Sequence, residues 1–353
     1  MLDVQQKIAT LNAMRQMLLL LTLTLLLSSC ELNPLEITVA DGWKARSIAA
    51  MRHTKPDMLA LSPSGKWLYV SCESKQSLLA PSLIAINLEN GRQQILMYGL
   101  HRADGLKFAP DGSLWLGEEF EKGLIWRIAE PDKLPEEQRI DRDSLRSSHP
   151  ASAPLPAVGR FAHEGFTFSR DGRYAYLADE WEEGCVFRYE LSTRSLSVYH
   201  QDKGWLLIKD PADARIGAEI LHATYFNRLE DMETLPDGSI LMAETGTGKI
   251  LKLDDSGSKP TIQSWLSRPE IKHPDNLAWD TQRQWLWITD DDKPSYLWAW
   301  DGRALHEMAR HDSGEITGVL AVGNVVYFNL QMPDGNTEVT MKMTPSTSPD
   351  TGG

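Results

Sequence analysis

Six times along the chain, an acid stands eight residues ahead of a turn. Asp57 precedes Gly65 by that interval, Asp104 precedes Gly112, Glu164 precedes Gly172 and Glu230 precedes Gly238. In the last two copies Asp275 lies eight before Arg283, and Glu315 eight before Gly323. Each acid opens a short run of strand-forming residues, the turn follows, and a second alternating run leads away. In the third copy the runs are Phe166 to Phe168 and Tyr174 to Ala178, around Arg170-Asp171-Gly172. Further strand-like segments follow, such as Ser82 to Leu88 and Cys185 to Leu191. Units of three or four short strands, recurring every roughly 40–65 residues, predict an all-β chain folded as a six-bladed β-propeller. A single β-sandwich leaves the constant acid-to-turn interval without a cause.

In a propeller the innermost strand of each blade lines the channel, so the six acids are predicted to ring one mouth. A hairpin returns its exit to the face of its entry. The exits carry Glu73, Glu118, Glu119, Asp179, Glu180, Glu244, Asp290 to Asp292 and Asn329. So many carboxylates near one axis repel each other unless their pKa values rise or cations sit among them. Hard oxygen donors in an irregular array select Ca²⁺ among the common divalent ions. The expected ligands are therefore Asp57, Asp104, Glu118, Glu119, Glu164, Glu230, Asp275 and Asp290, with Glu164, Glu230 and Asp275 also the expected catalytic acids. His163 and His273 stand beside ring acids, where they add ligands or bind substrate.

Composition narrows the partners. A net charge of −13 over 353 residues argues against nucleic acid, whose phosphates need lysine and arginine. The expected ligand is a small molecule. At the N-terminus, Lys7 and Arg15 precede the apolar run Met17 to Leu27, and Leu27-Ser28-Ser29-Cys30 resembles a bacterial lipobox. Residues 1–30 are thus expected to be a lipoprotein signal peptide, with Cys30 lipidated, 31–35 a tether, 36–345 the propeller and 346–353 a disordered tail. Membrane contact is expected only through that anchor, and Glu31 after it suggests the outer membrane, facing the periplasm. Ile37 to Ala49 reads as one strand closing the ring, and 130–158, rich in proline, serine and charge, as a surface insertion. Export permits a disulfide between Cys72 and Cys185, and equally two free thiols.

Three stretches resemble the PhoX-type alkaline phosphatases: Gly159-Arg160-Phe161-Ala162-His163-Glu164-Gly165, Arg228-Leu229-Glu230-Asp231-Met232-Glu233, and His273-Pro274-Asp275-Asn276-Leu277-Ala278 with Trp287-Ile288-Thr289-Asp290. The resemblance implies a six-bladed propeller that hydrolyses phosphoric esters with a calcium- and iron-containing cluster in the channel mouth. It adds Asp231 and Asn276 to the expected ligands, and it implies that Arg102, Arg228 or Lys272 steadies a phosphoryl group. Its iron site calls for a cysteine where this chain has Gly117, before Glu118-Glu119, so Fe³⁺ is placed in doubt while Ca²⁺ is not. Cys72 occupies the corresponding turn of the preceding unit. The alternatives to a phosphatase are a calcium-dependent lactonase or esterase on a gluconolactonase-like propeller, and a non-catalytic binding lipoprotein stabilised by metal.

Overall fold

The alternation of the third hairpin shows how this chain builds its core. His163–Phe168 pairs antiparallel with Tyr174–Asp179, which pairs in turn with Gly184–Glu190. Successive side chains leave opposite faces of a strand, and here both faces are apolar. Ala175, Leu177, Cys185 and Phe187 pack with Trp115 and Ile125 of the preceding unit. Tyr176, Ala178 and Val186 pack with Met232, Met242 and Leu251 of the following one. A sheet buried on both faces must be sandwiched between like sheets, and repetition of that rule closes a ring. Fully buried Phe166 and Phe187 each contribute roughly 2–3 kcal/mol to holding neighbouring sheets together.

The computed structural model describes residues 36–74, 80–332 and 338–346. Six sheets, antiparallel but for one added edge strand, follow one another as blades. Their innermost strands are Pro56–Leu61, Ala103–Phe108, His163–Phe168, Leu229–Thr234, Pro274–Asp280 and Glu315–Val322. The six-bladed propeller expected from the sequence is the fold. Cys30, the apolar run before it and residues 347–353 lie outside the described residues. No helix among the described residues is long and apolar enough to cross a membrane.

Two segments differ from expectation. The N-terminal stretch forms two strands, broken at Gly42, whose positive φ of 81° turns the chain. Thr38–Val39 edges blade 5, and Trp43–Met51 pairs with Glu338–Pro345 to close blade 6. Closure therefore joins the first described strands to the last. The stretch 130–158 is partly sheet: Ser152–Pro154 is the outer strand of blade 2, and Gln138–Asp141 adds in parallel to the edge of blade 1. Strands this short, with prolines between them, carry too few alternations to be read from sequence. Cys72 and Cys185 are free, buried thiols in blades 1 and 3, each within a separate cluster of apolar side chains.

The inner strands share a defect. In five blades the register slips at the ring acid, between Pro56 and Leu59, Ala103 and Leu106, His163 and Phe166, Leu229 and Met232, and Pro274 and Leu277. A β-bulge bends its strand and re-aims the extra residue, which here is the acid and its successor. In blade 6 the slip falls between Thr317 and Val319. Thr317, not Glu315, therefore holds the ring position. The cause is the turn: Val322 pairs directly with Val325, whereas Leu61 pairs with Leu68 in blade 1. Counting eight back from Gly323 overshoots by two residues.

Close packing of the bulges depends on glycine. A Cβ on Gly165 would lie 2.4 Å from the Asp231 Cα, and one on Gly105 would lie 2.3 Å from the Glu164 carbonyl oxygen. Gly165→Ala is expected to destabilise the protein by about 3 kcal/mol, lowering its melting temperature by roughly 5–10 °C. Gly65→Asn is the comparison, because a Cβ there meets nothing within 4 Å and asparagine tolerates its φ of +71°. Equal melting temperatures for the two variants would refute the packing argument.

Candidate active site

The bulges deliver Asp57, Asp104, Glu164, Glu230 and Asp275 to a cavity of about 190 Å³ at the channel mouth. A second tier comes from the exits of the next strands. There the first peptide N–H past the strand donates to a carbonyl just ahead of the inner strand: Glu73 to Lys55 (2.9 Å), Glu119 to Arg102 (2.8 Å), Glu180 to Ala162 (3.2 Å), Thr245 to Arg228 (2.9 Å) and Asp291 to His273 (3.0 Å). Each of these five residues lines the cavity, and so does Glu315. The sixth blade puts Gln331 opposite Glu315, and its amide donates to Asp57 Oδ2 at 3.2 Å.

Two cations complete the wall. Arg102 and Arg228 sit two residues before Asp104 and Glu230 with left-handed φ values of 49° and 53°. Arg102 pairs with Glu73 (2.6 Å) and Glu119. Arg228 spans Glu180 (2.7 Å) and Glu230 (3.0 Å). Two guanidinium groups face ten carboxyl groups around one small cavity, so the charge is far from balanced by the protein itself.

The carboxylates fall into three sets whose donor atoms lie within 4.8 Å of one another: Asp57–Glu73–Asp104, Asp104–Glu119–Glu164 and Glu164–Glu230–Asp275. Asp104 belongs to the first and second, and Glu164 to the second and third. The sets thus adjoin around the ring from blade 1 to blade 5. The series stops at blade 6, where the Thr317 hydroxyl stands between Asp57 (2.8 Å) and Asp275 (3.4 Å).

Their electrostatics match that crowding. Burial, then repulsion from Glu73, raises the pKa of Asp57 well above its ordinary value. Burial, then Asp57, does the same for both Asp104 and Asp275, and burial, then Asp104, for Glu164. Burial followed by Glu180 pushes Glu230 up to about 7. Glu119 rises to about 9, driven by burial against the pull of Arg102 and reinforced by Glu73. Glu315 rises to about 7 through burial and then Asp291. A cation between such groups relieves both the repulsion and the loss of hydration.

A test of fit comes from the donors themselves. Asp104 Oδ1 and Glu164 Oε2 are buried without a hydrogen-bond partner, and each belongs to a residue shared by two sets. Unpartnered acceptors at the junctions are what a cation would satisfy, and all-oxygen donors fit Ca²⁺ or another hard ion. An iron–thiolate arrangement does not fit. A Cβ on Gly117 would come 2.5 Å from the His163 carbonyl oxygen. Cys72 is fully buried in an apolar cluster, its sulfur directed to the Val70 carbonyl. No cysteine among the described residues lines the cavity.

Several expected site residues lie elsewhere. Of each adjacent acid pair at a strand exit, the first points away from the cavity, since neighbouring residues alternate sides. Glu118 is fully buried against Arg142 (3.0 Å), the His101 N–H (3.0 Å) and the Trp126 indole. Asp290 accepts from the N–H groups of Lys272 (3.0 Å) and His273 (2.9 Å). Both therefore fasten loops rather than line the mouth. Asp231, second in its bulge, faces blade 5 and accepts the Leu277 N–H at 3.1 Å. Asn276 lies under the ring, where its side-chain oxygen accepts from Thr317 at 3.0 Å. His163 is fully buried, its ring tilted 39° against Phe161 at 4.0 Å, and held neutral by burial, with its pKa lowered to about 3. His273 is exposed outside the cavity lining, and Lys272 points to Asp292 at 2.7 Å. Arg102 and Arg228 both line the cavity.

A larger groove of about 920 Å³ runs between the turn ends of blades 3 and 4. Its Asp255 is satisfied by Tyr176 (2.6 Å), Arg188 (2.7 Å) and Trp205 (2.9 Å), and none of the three carboxylate sets lies there.

No family model matches the chain, and no curated protein matches it. Solved structures do. A gluconolactonase from Xanthomonas campestris is 12% identical, with a TM-score of 0.56 over 87% of this chain and 91% of that one. A luciferin-regenerating enzyme is 8% identical, with a TM-score of 0.60 over 87% and 96%. A virginiamycin B lyase from Staphylococcus aureus is 16% identical, with a TM-score of 0.52 over 86% and 99%. At such identities the likeness shows one thing, the β-propeller fold.

Proposed function

We propose that this chain is a divalent-cation-dependent ester hydrolase, with Ca²⁺ held in the channel mouth. The observation that carries the reading is the series of three carboxylate sets sharing Asp104 and Glu164, with unpartnered oxygens at both shared residues. Asp57, Glu73, Asp104, Glu119, Glu164, Glu230 and Asp275 would hold the ions. Bound there, they would supply a Lewis acid for an ester oxygen and offset negative charge.

The chain's own groups divide the remaining work. Arg102 and Arg228 stand on the wall where an anionic substrate group would lie, and they orient it by charge. Glu180, Asp291 and Glu315 line the cavity but belong to none of the three sets. These three carboxylates, left outside the cation sets, are the groups available to take or give a proton. Glu164, Glu230 and Asp275, expected from sequence as catalytic, act on this reading as one cation-binding set.

Two ester classes fit this site. The lactone reading is supported by the fold shared with a gluconolactonase and is the simpler extension of the comparisons. The phosphoric-ester reading has its own support in the PhoX-like motifs, which supply Glu164, Glu230 and Asp275, and in the paired arginines. The test is hydrolysis of a chromogenic phosphomonoester and of a sugar lactone by the purified protein, before chelation, after it, and after Ca²⁺ is restored. One of the two substrates is expected to turn over, with loss on chelation and recovery on repletion. Turnover that ignores chelation, or none on either substrate, would overturn the proposal.

A further inference from the structure

Six large apolar side chains among the described residues are more than a third exposed, and five of them lie between residues 181 and 225. Trp181 (49% exposed) follows Glu180 of the cavity wall, and its carbonyl accepts the Arg228 N–H at 2.8 Å. The helix Ala214–Ile220 lies beside it, fastened by Arg215, which pairs with Asp179 at 2.5 Å and covers the Trp181 ring at 4.4 Å. Ala214 and Ala218 turn inward on that helix. Ile216 (56%) and Ile220 (71%) turn outward, and Tyr225 (44%) follows on a strand paired to Cys185. An apolar rim thus borders the acidic mouth on the blade 3 side.

The chain's entry point says what covers it. Thr38 pairs with Arg310, at the end of the outer strand of blade 5 that leads within five residues to Glu315 at the mouth. The chain therefore enters the propeller at its mouth face, not at its turn face. Cys30 lies eight residues earlier, and eight residues reach no farther than about 29 Å when fully extended. A lipid on Cys30 would tether the propeller from the face at which the chain enters it. We propose that Trp181, Ile216, Ile220 and Tyr225 form a membrane-docking rim, seating the active-site mouth on the lipid surface. Aromatic and aliphatic side chains next to a polar opening suit the interface between headgroups and acyl chains. The inference rests on lipidation of Cys30 and is independent of the reaction catalysed.

Hydrogen exchange on the full lipidated chain in phosphatidylcholine vesicles tests it, against a chain beginning at Glu31 in solution. All six blades close within residues 38–346, so the shorter chain retains every strand. Amides of 181–184 and 214–226 are expected to exchange about tenfold more slowly on vesicles, with the turn-face hairpins unchanged. The double variant Ile216→Ser, Ile220→Ser alters exposed positions only. It is expected to stay on the vesicles through its anchor yet lose the added protection. Equal exchange in both settings, protection on the turn face, or a full chain that does not bind vesicles would overturn the proposal. So would equal protection in the anchor-free chain together with sedimentation as a dimer, because a second copy would then cover the rim.

Discussion

Stripped of divalent cations, the protein is expected to be more stable at pH 5 than at pH 8, the reverse of an ordinary acid-sensitive domain. The sign follows from the raised carboxyl pKa values. An acid whose pKa is higher folded than unfolded binds its proton more tightly in the native state. Its stabilising contribution is full below the unfolded pKa and disappears as pH climbs through the folded one. Glu230 and Glu315 move from 4.5 to about 7, and Glu119 from 4.5 to about 9. The loss therefore runs from about pH 4.5 to pH 9. For Glu230 alone the change corresponds to about 3 kcal/mol. Ca²⁺ should invert the trend, since it binds the ionised carboxylates and competes with protons. Melting curves at pH 5 and pH 8, with chelator and with excess Ca²⁺, read both signs. A chelated protein that gains stability as pH rises would contradict the crowding of the mouth.

Replacing Glu164 by glutamine is expected to produce a second reversal. Glu164 serves two of the three carboxylate sets, so Glu164→Gln should lower bound cation and reduce ester hydrolysis by about 100-fold or more. In the presence of Ca²⁺ the variant should melt lower than the native protein. In chelator at pH 8 it should melt higher, because glutamine escapes the cost of burying a carboxyl group among others of its sign, whether that cost is met as charge or as proton uptake. Glu118→Gln separates this from simple damage. It weakens a buried pair with Arg142 and should cost about 3 kcal/mol under both conditions while leaving the cation count unchanged. Elemental analysis and paired melting curves distinguish the outcomes. If Glu164→Gln retains full cation loading, Glu164 is not a ligand.

The site was legible where it follows from periodicity and hidden where it follows from side-chain direction. Asp57, Asp104, Glu164, Glu230 and Asp275 could be found by counting, because a hairpin of constant length puts its entry residue at a constant distance from its turn. Blade 6 breaks that rule with a shorter turn, which shifted the reading onto Glu315 and concealed Thr317. The strand exits were recognisable as acidic, but Glu118-Glu119 and Asp290-Asp291 look alike as letters. Strand alternation sends Glu119 and Asp291 to the cavity, and it sends Glu118 and Asp290 to backbone amides behind it.

What the amino-acid order determined by itself was therefore the blade count, the ring and its acidity. Each is a repeated local pattern, set by alternation, turn chemistry and charge within a few dozen residues. Tertiary structure decided the rest: the bulges that aim the ring acids, the sharing of Asp104 and Glu164 between neighbouring sets, and the closure of blade 6 by Trp43–Met51. It also decided that Gly117 leaves no room for a thiol, and that the chain enters the propeller at the edge of blade 5. Those features depend on distances between residues far apart in sequence, which form when the blades pack against one another and have no counterpart in local order.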